Sequence, residues 1–327
     1  MQKSNQNLDS YSKGSFREAL LEGSVDKWIK EGGDPNAHNE LFSVLNLAIY
    51  HADLDPEKSF LAVSHLLDAG AKLKIKDNNI LKAMAEEGRV DFLHLFLKKI
   101  SESSSQEITI EDYKDALLGA FKGSNSFQHQ KNFLSNKDET LLKNRALCAT
   151  MLYPFVKLSS WVVNALIKEM NSALSEHYFL SYSKVFLNHF STFEHEFSQP
   201  EKYSILSELL KNTLINAEVL TYLLKWNMKL NSPEGSDVVL NYIRTEIRHH
   251  HSATEQFQEF MGEFEKNGFS WTQKSALGWT IPKIIDVEAF KNEFQKTPCM
   301  LWIQSKYENQ YLSESFKQVQ EKPKVRL

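Results

Sequence analysis

Residues 14–37 read Gly-Ser-Phe-Arg-Glu-Ala-Leu-Leu-Glu-Gly-Ser-Val-Asp-Lys-Trp-Ile-Lys-Glu-Gly-Gly-Asp-Pro-Asn-Ala, and this stretch carries the clearest fold signal in the chain. Apolar residues recur at helical spacing on both sides of Gly23, which predicts two short helices joined at a glycine. Gly32 and Gly33 follow the second helix. We expect positive φ angles between the helices and after the second one, because glycine adopts that conformation without strain. The stretch therefore predicts a helical hairpin.

This hairpin resembles one ankyrin repeat, with its A-A-x-x-G, L-L-x-x-G-A-D and x-N-A stretches. The residues that carry the resemblance are Phe16, Ala19, Leu20, Gly23, Val25, Trp28, Ile29, Gly32, Gly33, Asp34, Asn36 and Ala37. The resemblance implies stacked helical hairpins joined by β-turn fingers. Repeat architectures of this kind usually bind other macromolecules and rarely carry out chemistry.

Two further ankyrin-like units follow in the same register. The second runs from about Leu41 to Lys76, with one helix at 43–49 and another ending just before Gly70. The third covers 80–97 and turns at Gly88. Gly70 lies 38 residues after Gly32, which exceeds the usual period of about 33. We assign the excess to a longer inter-helix loop at 52–60.

The repeat pattern weakens beyond the third unit. Gly123 lies 35 residues after Gly88, which predicts a degenerate fourth repeat that ends near residue 135. Farther on, aromatic residues from Phe179 to Phe197 are spaced three and four apart and predict one face of a long amphipathic helix. A buried core face and an exposed groove for a partner helix are both open. Residues 217–231 resemble the outer helix of a repeat and the turn that follows it, with Asn227 where glycine is expected.

These patterns, together with only 12 Gly and 8 Pro, predict an all-α fold. Ankyrin-like helical-hairpin repeats come first, and a helical second half either continues the α-solenoid or forms a separate helical domain. We divide the chain into a disordered N-terminus at 1–13, ankyrin-like repeats at 14–135, a helical domain or degenerate repeats at 136–316, and a flexible tail at 317–327.

Composition narrows the function classes. The net charge of −4 and the pI near 6.3 argue against a general nucleic-acid or anionic-membrane binder. Two cysteines, Cys148 and Cys299, exclude a disulfide framework and favour a reducing compartment. Residues 1–13 are polar and do not resemble a secretory signal, and no apolar run is long enough for a membrane span. We expect a cytoplasmic protein with no transmembrane segment and no nucleic-acid partner, and the oligomeric state is open.

The sequence contains no phosphate loop, dinucleotide glycine pattern, zinc-protease motif or nucleophile elbow, so no cofactor and no catalytic residue is predicted. The cluster Glu-Ile-Arg-His-His-His at 246–251 has potential metal ligands at helical spacing. Histidines at a helix end also stabilise the helix dipole, and we predict no metal. Cys148 lies in an apolar helical context and is interpreted as a buried hydrophobe. Cys299 follows a proline near a predicted helix N-terminus, where a thiol pKa can be lowered, so it is a weak candidate for a nucleophile.

Carrying the resemblance over residue by residue gives a candidate protein-binding surface. Ankyrin repeats usually hold partners with the β-turn fingers and the exposed side of the inner helices. The corresponding residues are Arg17, Glu18, His38, Asn39, Asn46, Tyr50, Lys74, Lys76, Asp77, Lys82 and Glu86. Tyr50 is the best single anchor, because tyrosine is enriched at binding hot spots. The alternative is that Tyr50 only covers the insertion loop.

Two function hypotheses follow. The first is a non-enzymatic interaction protein that binds another protein through a concave helical surface. The second joins an ankyrin-like targeting module to a helical effector or enzyme domain of unknown activity. The broken repeats and the abundance of Lys, Asn, Ser and Phe are similar to ankyrin-containing effectors of intracellular bacteria. That resemblance implies a host protein as the partner and the host cytosol as the location after secretion.

Overall fold

The computed structural model describes residues 14–38, 43–72, 74–75, 78–102, 108–122, 136–157, 159–171, 176–212, 214–292 and 295–321. The fold is all-α, as the sequence predicts, with 75% of the described residues helical. The chain forms two compact units, Met1–Lys157 and Leu158–Leu327. Within the described ranges, no helix combines the length and the apolar character needed to cross a membrane.

The described residues of the first unit form four helical hairpins, two of which are joined by a very short β-hairpin. Its elements are α1 Phe16–Glu22, α2 Val25–Lys30, α3 Val44–Tyr50, α4 Pro56–Asp68, β1 Lys74–Ile75, β2 Asn78–Asn79, α5 Ile80–Glu86, α6 Val90–Glu102, α7 Ile110–Lys122 and α8 Asn136–Val156. The second helix of each hairpin packs against the second helix of the next, and α5 packs against α7. Each hairpin therefore buries its apolar face mainly against its sequence neighbours.

Antiparallel backbone pairs occur where the sequence predicts fingers. His38 forms a bridge with Ser43. In the next connection Lys74 pairs with Asn79, and β1 and β2 are antiparallel. The finger residues Asn39, Lys76 and Asp77 lie outside the described residues.

The expected positive φ angles are confirmed. Gly23 and Gly88, between the helices of a hairpin, have φ angles of 72° and 61°. Gly32 and Gly70, after the second helix, have φ angles of 98° and 85°. At Gly23 the backbone N–H donates to the carbonyls of Ala19 and Leu20, so the turn also satisfies the end of α1.

Alanine substitutions at two of these glycines are expected to differ in cost. A Cβ on Gly70 would meet no atom within 4 Å, whereas a Cβ on Gly88 would lie 2.9 Å from Leu141 Cδ1 and 3.0 Å from Asn144 Cβ of α8. We expect Gly70→Ala to lower the free energy of unfolding by about 1 kcal/mol through φ strain alone, and Gly88→Ala by about 2–3 kcal/mol. Urea unfolding followed by circular dichroism measures both. Equal losses would contradict the packing of α8 on the Gly88 turn.

The insertion in the second hairpin is shorter than the sequence predicts. A 3-10 turn at His51–Asp53 follows α3, and α4 already begins at Pro56. The side chain of Asp55 accepts a hydrogen bond from Lys58 N at 3.1 Å. Asp55 is thus the N-cap and Pro56 the first residue of α4, and both residue types favour these positions. The predicted loop at 52–60 is therefore corrected to 51–55.

The first unit extends beyond the expected limit at residue 135, because α8 packs against α6 and α7. Arg145 of α8 is 1% exposed, and its Nη2 donates to the carbonyl of Phe121 at 3.0 Å. That carbonyl belongs to the last turn of α7, where helix carbonyls lack partners within the helix and a cation is favourable. The last part of the predicted fourth repeat, at 123–135, lies outside the described residues.

The second unit also consists of helical hairpins. Its helices are α9 Ser159–Asn171, α10 Glu176–Phe190, α11 Gln199–Leu209, α12 Ala217–Leu224, α13 Pro233–His249, α14 Glu255–Lys266, α15 Ile281–Lys291 and α16 Pro298–Glu321. One row of contacts joins α9, α11, α13 and α15, and another joins α10, α12 and α14. Hydrogen bonds join successive hairpins, as from Trp226 to Leu187 and from Thr221 to Glu263, with partners 39 and 42 residues apart. A solenoid that includes both halves stays a prediction.

The aromatic stripe of the second unit is a core face rather than a groove. Phe179, Tyr182, Phe186, Phe190 and Phe197 are all at most 4% exposed. The single long helix predicted for this stripe is wrong, because α10 ends at Phe190 and a 3-10 turn follows. The hydroxyls of two residues in that turn, at 191 and 192, donate to backbone carbonyls of α10. Such bonds compete with the regular helix ladder.

The C-terminal helix α16 continues to Glu321. Residues 317–321, which the sequence assigned to a flexible tail, are therefore helical. Residues 322–327 lie outside the described part of the chain.

Candidate functional site

Tyr50, the anchor predicted from sequence, is 40% exposed at the end of α3. Partial burial and the nearby carboxylates of Glu87 and Glu86 raise its pKa. The ends of α3 and α5 are further linked by Arg89, whose Nη2 lies 2.6 Å from Asp53 Oδ1. Tyr50 is therefore a partly exposed side chain beside the acidic end of α5.

Asn46 does not belong to an exposed surface, and its predicted role as a contact residue is corrected. It is 3% exposed. Its Oδ1 accepts from Ser43 N at 3.1 Å and from Ser43 Oγ at 2.8 Å, while Asn46 N donates to Ser43 Oγ at 3.2 Å. This reciprocal pair is a capping box, which fixes the start of α3.

The other predicted inner-helix residues have mixed surroundings. Lys82 and Glu86 form an ion pair at 3.8 Å on α5. A Cβ on Gly119 of α7 would lie 2.9 Å from Glu86 Cγ and 3.1 Å from Lys82 Cγ, so both stems cover that glycine. Arg17 and Glu18 are half-buried at the start of α1. Of the predicted contact residues, Tyr50, His38 and Lys82 are exposed in the structure. Lys74 lies in β1.

Sequence reasoning missed an apolar groove between α4 and α6, here called the Phe60 groove. It has a volume of about 660 Å³ and is lined by Pro56, Glu57, Phe60, Leu61, Asp91, Phe92 and His94. Phe60 is 40% exposed and Leu61 is 57% exposed, whereas Phe92 is buried at 6%. The rings of Phe60 and Phe92 lie 5.8 Å apart between centroids. Phe92 therefore forms the floor of the groove, and the side chains of Phe60 and Leu61 beside it face solvent.

The rim of the Phe60 groove is acidic. Glu57 and Asp91 stand in the first turns of α4 and α6. The helix dipole stabilises carboxylates at this position. Neither carboxylate has an ion-pair partner among the residues that the structure describes. The groove therefore combines solvent-facing apolar area with negative charge.

One sequence signal could have identified this groove. The buried face of α4 consists of Ser59, Ala62, Val63, Leu66 and Leu67. At about 100° per residue, position 61 lies on the opposite side of the helix. A leucine on the polar face of an amphipathic helix has no core to enter, so Leu61 is exposed.

The second unit has a polar pocket, here called the Glu288 pocket, where the ends of α13 and α15 meet the start of α16. It has a volume of about 450 Å³ and is lined by Ile247, Arg248, His249, His250, His251, Glu288, Lys291, Asn292, Thr297 and Met300. The Glu288 side chain is 4% exposed. Its Oε1 accepts from Arg244 Nε at 2.7 Å and from Arg248 Nη2 at 2.8 Å, and Lys291 Nζ lies 3.4 Å from both carboxylate oxygens.

The electrostatics of this pocket centre on Glu288. Burial opposes its ionisation, but hydrogen bonds from Arg248 and Arg244 and the charges of Arg248 and Lys291 outweigh burial and lower its pKa to about 2. The carboxylate is therefore charged at all physiological pH values. The guanidinium carbon of Arg244 also lies 4.9 Å from the centre of the Trp279 ring, a cation–π contact that holds Arg244 in place.

The histidine cluster lies at a helix end, as the sequence predicts, since α13 ends at His249. His250 Nε2 lies 3.8 Å from Glu246 Oε2, and burial raises the pKa of Glu246. In the described ranges, no group of three or more His, Cys, Asp or Glu side chains is placed to hold a metal ion.

Both cysteines are buried. Burial raises the pKa of Cys148 to about 12, as expected for a buried hydrophobe. The lowered pKa considered for Cys299 is wrong, because burial and the nearby Glu246 raise its pKa to about 11. Both thiols are therefore protonated at neutral pH and are poor nucleophiles.

Comparison with known proteins adds no relative. Neither the scan against protein-family models nor the searches of curated proteins and solved structures found a match.

Proposed function

We propose that the chain is a non-enzymatic interaction protein and that its first unit binds another protein through the Phe60 groove. The observation that carries the proposal is the exposure of Phe60 and Leu61 above the buried Phe92. Large apolar side chains clustered on a surface mark interaction sites, whereas a lone exposed leucine needs no explanation. In this groove the apolar side chains stand next to each other on two neighbouring helices.

The chemistry of the groove indicates an amphipathic helix as the partner segment. A groove between two packed helices accepts the apolar face of a third helix. The carboxylates of Glu57 and Asp91 lie beside the apolar floor. A partner helix with leucine or phenylalanine on one face and lysine or arginine beside it would complement both features.

The sequence adds a second contact surface to this proposal. If the resemblance to ankyrin repeats extends to binding, further contacts would come from the fingers near His38 and β1 and from Tyr50, which is exposed at the end of α3. The similarity in style to effectors of intracellular bacteria extends the proposal to a host protein as the partner.

Affinity capture with matched baits tests the proposed groove. Leu61→Asp places a charge in the groove, while Leu312→Asp alters a leucine of α16 with similar exposure, 53% against 57%. We expect Leu61→Asp to weaken binding of a captured protein at least tenfold, or about 1.4 kcal/mol, because a charge replaces an apolar contact. Leu312→Asp should leave the affinity unchanged. Cross-linking then identifies the partner segment that contacts α4.

A third bait, Tyr50→Ala, separates the two surfaces. Loss of the partner with Tyr50→Ala and not with Leu61→Asp would move the binding site to the inner helices. Equal affinity for all baits, with equal thermal melting curves, would contradict protein binding by the first unit.

A further inference from the structure

We propose that the Glu288 pocket is a binding site for a phosphate monoester. Its positive charge exceeds what its own carboxylate neutralises. Arg244, Arg248 and Lys291 converge on Glu288, so three cations meet one carboxylate, and two of these cations, Arg248 and Lys291, line the pocket itself. A phosphate monoester carries a charge of about −1.5 to −2 at neutral pH and would pair with these two cations.

The cations divide into two roles. Arg244 does not line the pocket; it holds Glu288 from behind and stacks on Trp279. Arg248 and Lys291 do line the pocket, and their side chains are 42% and 53% exposed. Glu288 thus fixes these two cations at the pocket wall while solvent still reaches them.

Donors for an oxyanion remain after Glu288 is satisfied. A guanidinium has five N–H donors, and Arg248 gives one nitrogen, Nη2, to Glu288. Lys291 approaches Glu288 only at 3.4 Å, a long contact for an ammonium group with three donors. The planar fork of arginine matches the geometry of phosphate oxygens, and a neighbouring lysine adds a point charge.

The room in the pocket fits a phosphate with part of the molecule that carries it. The volume of about 450 Å³ lies within the usual range for small-ligand sites. The pocket wall is mixed, because the imidazoles at 249–251, Asn292 and Thr297 stand beside the apolar Ile247 and Met300. Cations at helix ends are favourable on their own. The helix dipole does not explain why the cations at the ends of α13 and α15 line the same pocket and contact the same carboxylate, Glu288.

Phosphorus NMR of the full chain tests the site with three probes: inorganic phosphate, O-phosphoserine and glucose 6-phosphate. O-phosphoserine represents a phosphorylated side chain and glucose 6-phosphate represents a small metabolite. We expect the wild-type chain to broaden and shift the signal of at least one monoester. Arg248→Gln and Lys291→Gln should each weaken that binding about tenfold, because each removes a charged donor.

Lys266→Gln is the matched control. Lys266 is the last residue of α14 and pairs with Glu263 three residues earlier, as Lys291 is the last residue of α15 and pairs with Glu288. Its substitution should leave binding unchanged, and circular dichroism should show the same fold for all variants. Binding that is equal in wild type and the Arg248→Gln/Lys291→Gln double variant would overturn the proposal. So would an absence of monoester binding at about 10 mM probe, or binding of inorganic phosphate alone.

Discussion

Replacing Trp226 with alanine is expected to lower the free energy of unfolding of the second unit by about 3–5 kcal/mol, the usual cost of removing a buried tryptophan. Trp226 is fully buried and stacks on Phe197, with ring centroids 5.3 Å apart. Its Nε1 donates to the carbonyl of Leu187 at 3.1 Å, so the ring joins α10 to the end of α12. Alanine would leave a cavity and remove this donor. Urea unfolding followed by far-ultraviolet circular dichroism measures the loss.

Trp226→Phe separates packing from hydrogen bonding. Phenylalanine keeps the stacking on Phe197 but cannot donate to Leu187, so we expect a smaller loss of about 1–2 kcal/mol. Equal losses for both variants would assign the effect to the hydrogen bond. A loss below about 1 kcal/mol for Trp226→Ala would contradict the placement of this ring in the core.

The neighbourhood of Trp226 shows what could be predicted from sequence. Asn227 was placed where a repeat requires glycine, and it has a φ angle of 50°. Asparagine tolerates the left-handed region better than most residues. Gly268, 41 residues later, has a φ angle of 95° in the corresponding place after α14. The turn after such a helix depends on one residue that can adopt a positive φ angle. A glycine or asparagine at that position can therefore be recognised in a single sequence.

Features that depend on local hydrogen bonds rather than on side-chain spacing were not predicted in this way. Asn46 was expected to be exposed, but it caps α3 through Ser43, and that role depends on where the helix begins. The aromatic stripe continues past Phe190 at helical spacing, although the helix does not. Side-chain spacing reports which face is buried, and hydrogen bonds of the backbone decide where the helix ends.

The candidate sites, too, could be predicted only in part from the sequence. The sequence identified the cluster at 246–251 but not its centre, because Glu288 lies 44 residues from Arg244 and 40 from Arg248. The Phe60 groove depends on the packing of α4 against α6, whose contact residues lie in different hairpins. Each site joins successive helical hairpins, and a linear pattern predicts the hairpins without the contacts between them.

The second large effect is expected at Glu288. Glu288→Gln should lower the free energy of unfolding at pH 7 by roughly 3 kcal/mol, because it leaves Arg244, Arg248 and Lys291 without the carboxylate that neutralises them. Glu263→Gln is the control, since its carboxylate pairs with the single, exposed Lys266. That substitution should cost at most about 1 kcal/mol. Equal losses would mean that the convergence of three cations has no special effect.

The same substitution predicts a dependence on pH. The pKa of Glu288 in the folded chain is about 2, below its ordinary value of 4.5. A lowered pKa contributes stability that is present above the ordinary value and is lost as the pH falls towards the folded-state value. The difference between wild type and Glu288→Gln should therefore be full above pH 5 and should shrink between about pH 4.5 and 2. A difference that stays constant over this range would assign the loss to packing.

Glu288→Gln also distinguishes two roles for the cations of this pocket, an internal ion network around Glu288 and a binding site for an anion. Without the carboxylate, Arg248 and Lys291 still line the pocket and Arg244 still lies behind it, so a bound phosphate monoester would replace the missing negative charge. We expect this variant to bind O-phosphoserine or glucose 6-phosphate more tightly than wild type does, and the ligand to restore part of the lost stability, because a ligand of the folded state raises the free energy of unfolding. If the cations serve only to hold Glu288, the variant loses stability and gains no affinity. Opposite changes in stability and affinity thus mark a ligand site.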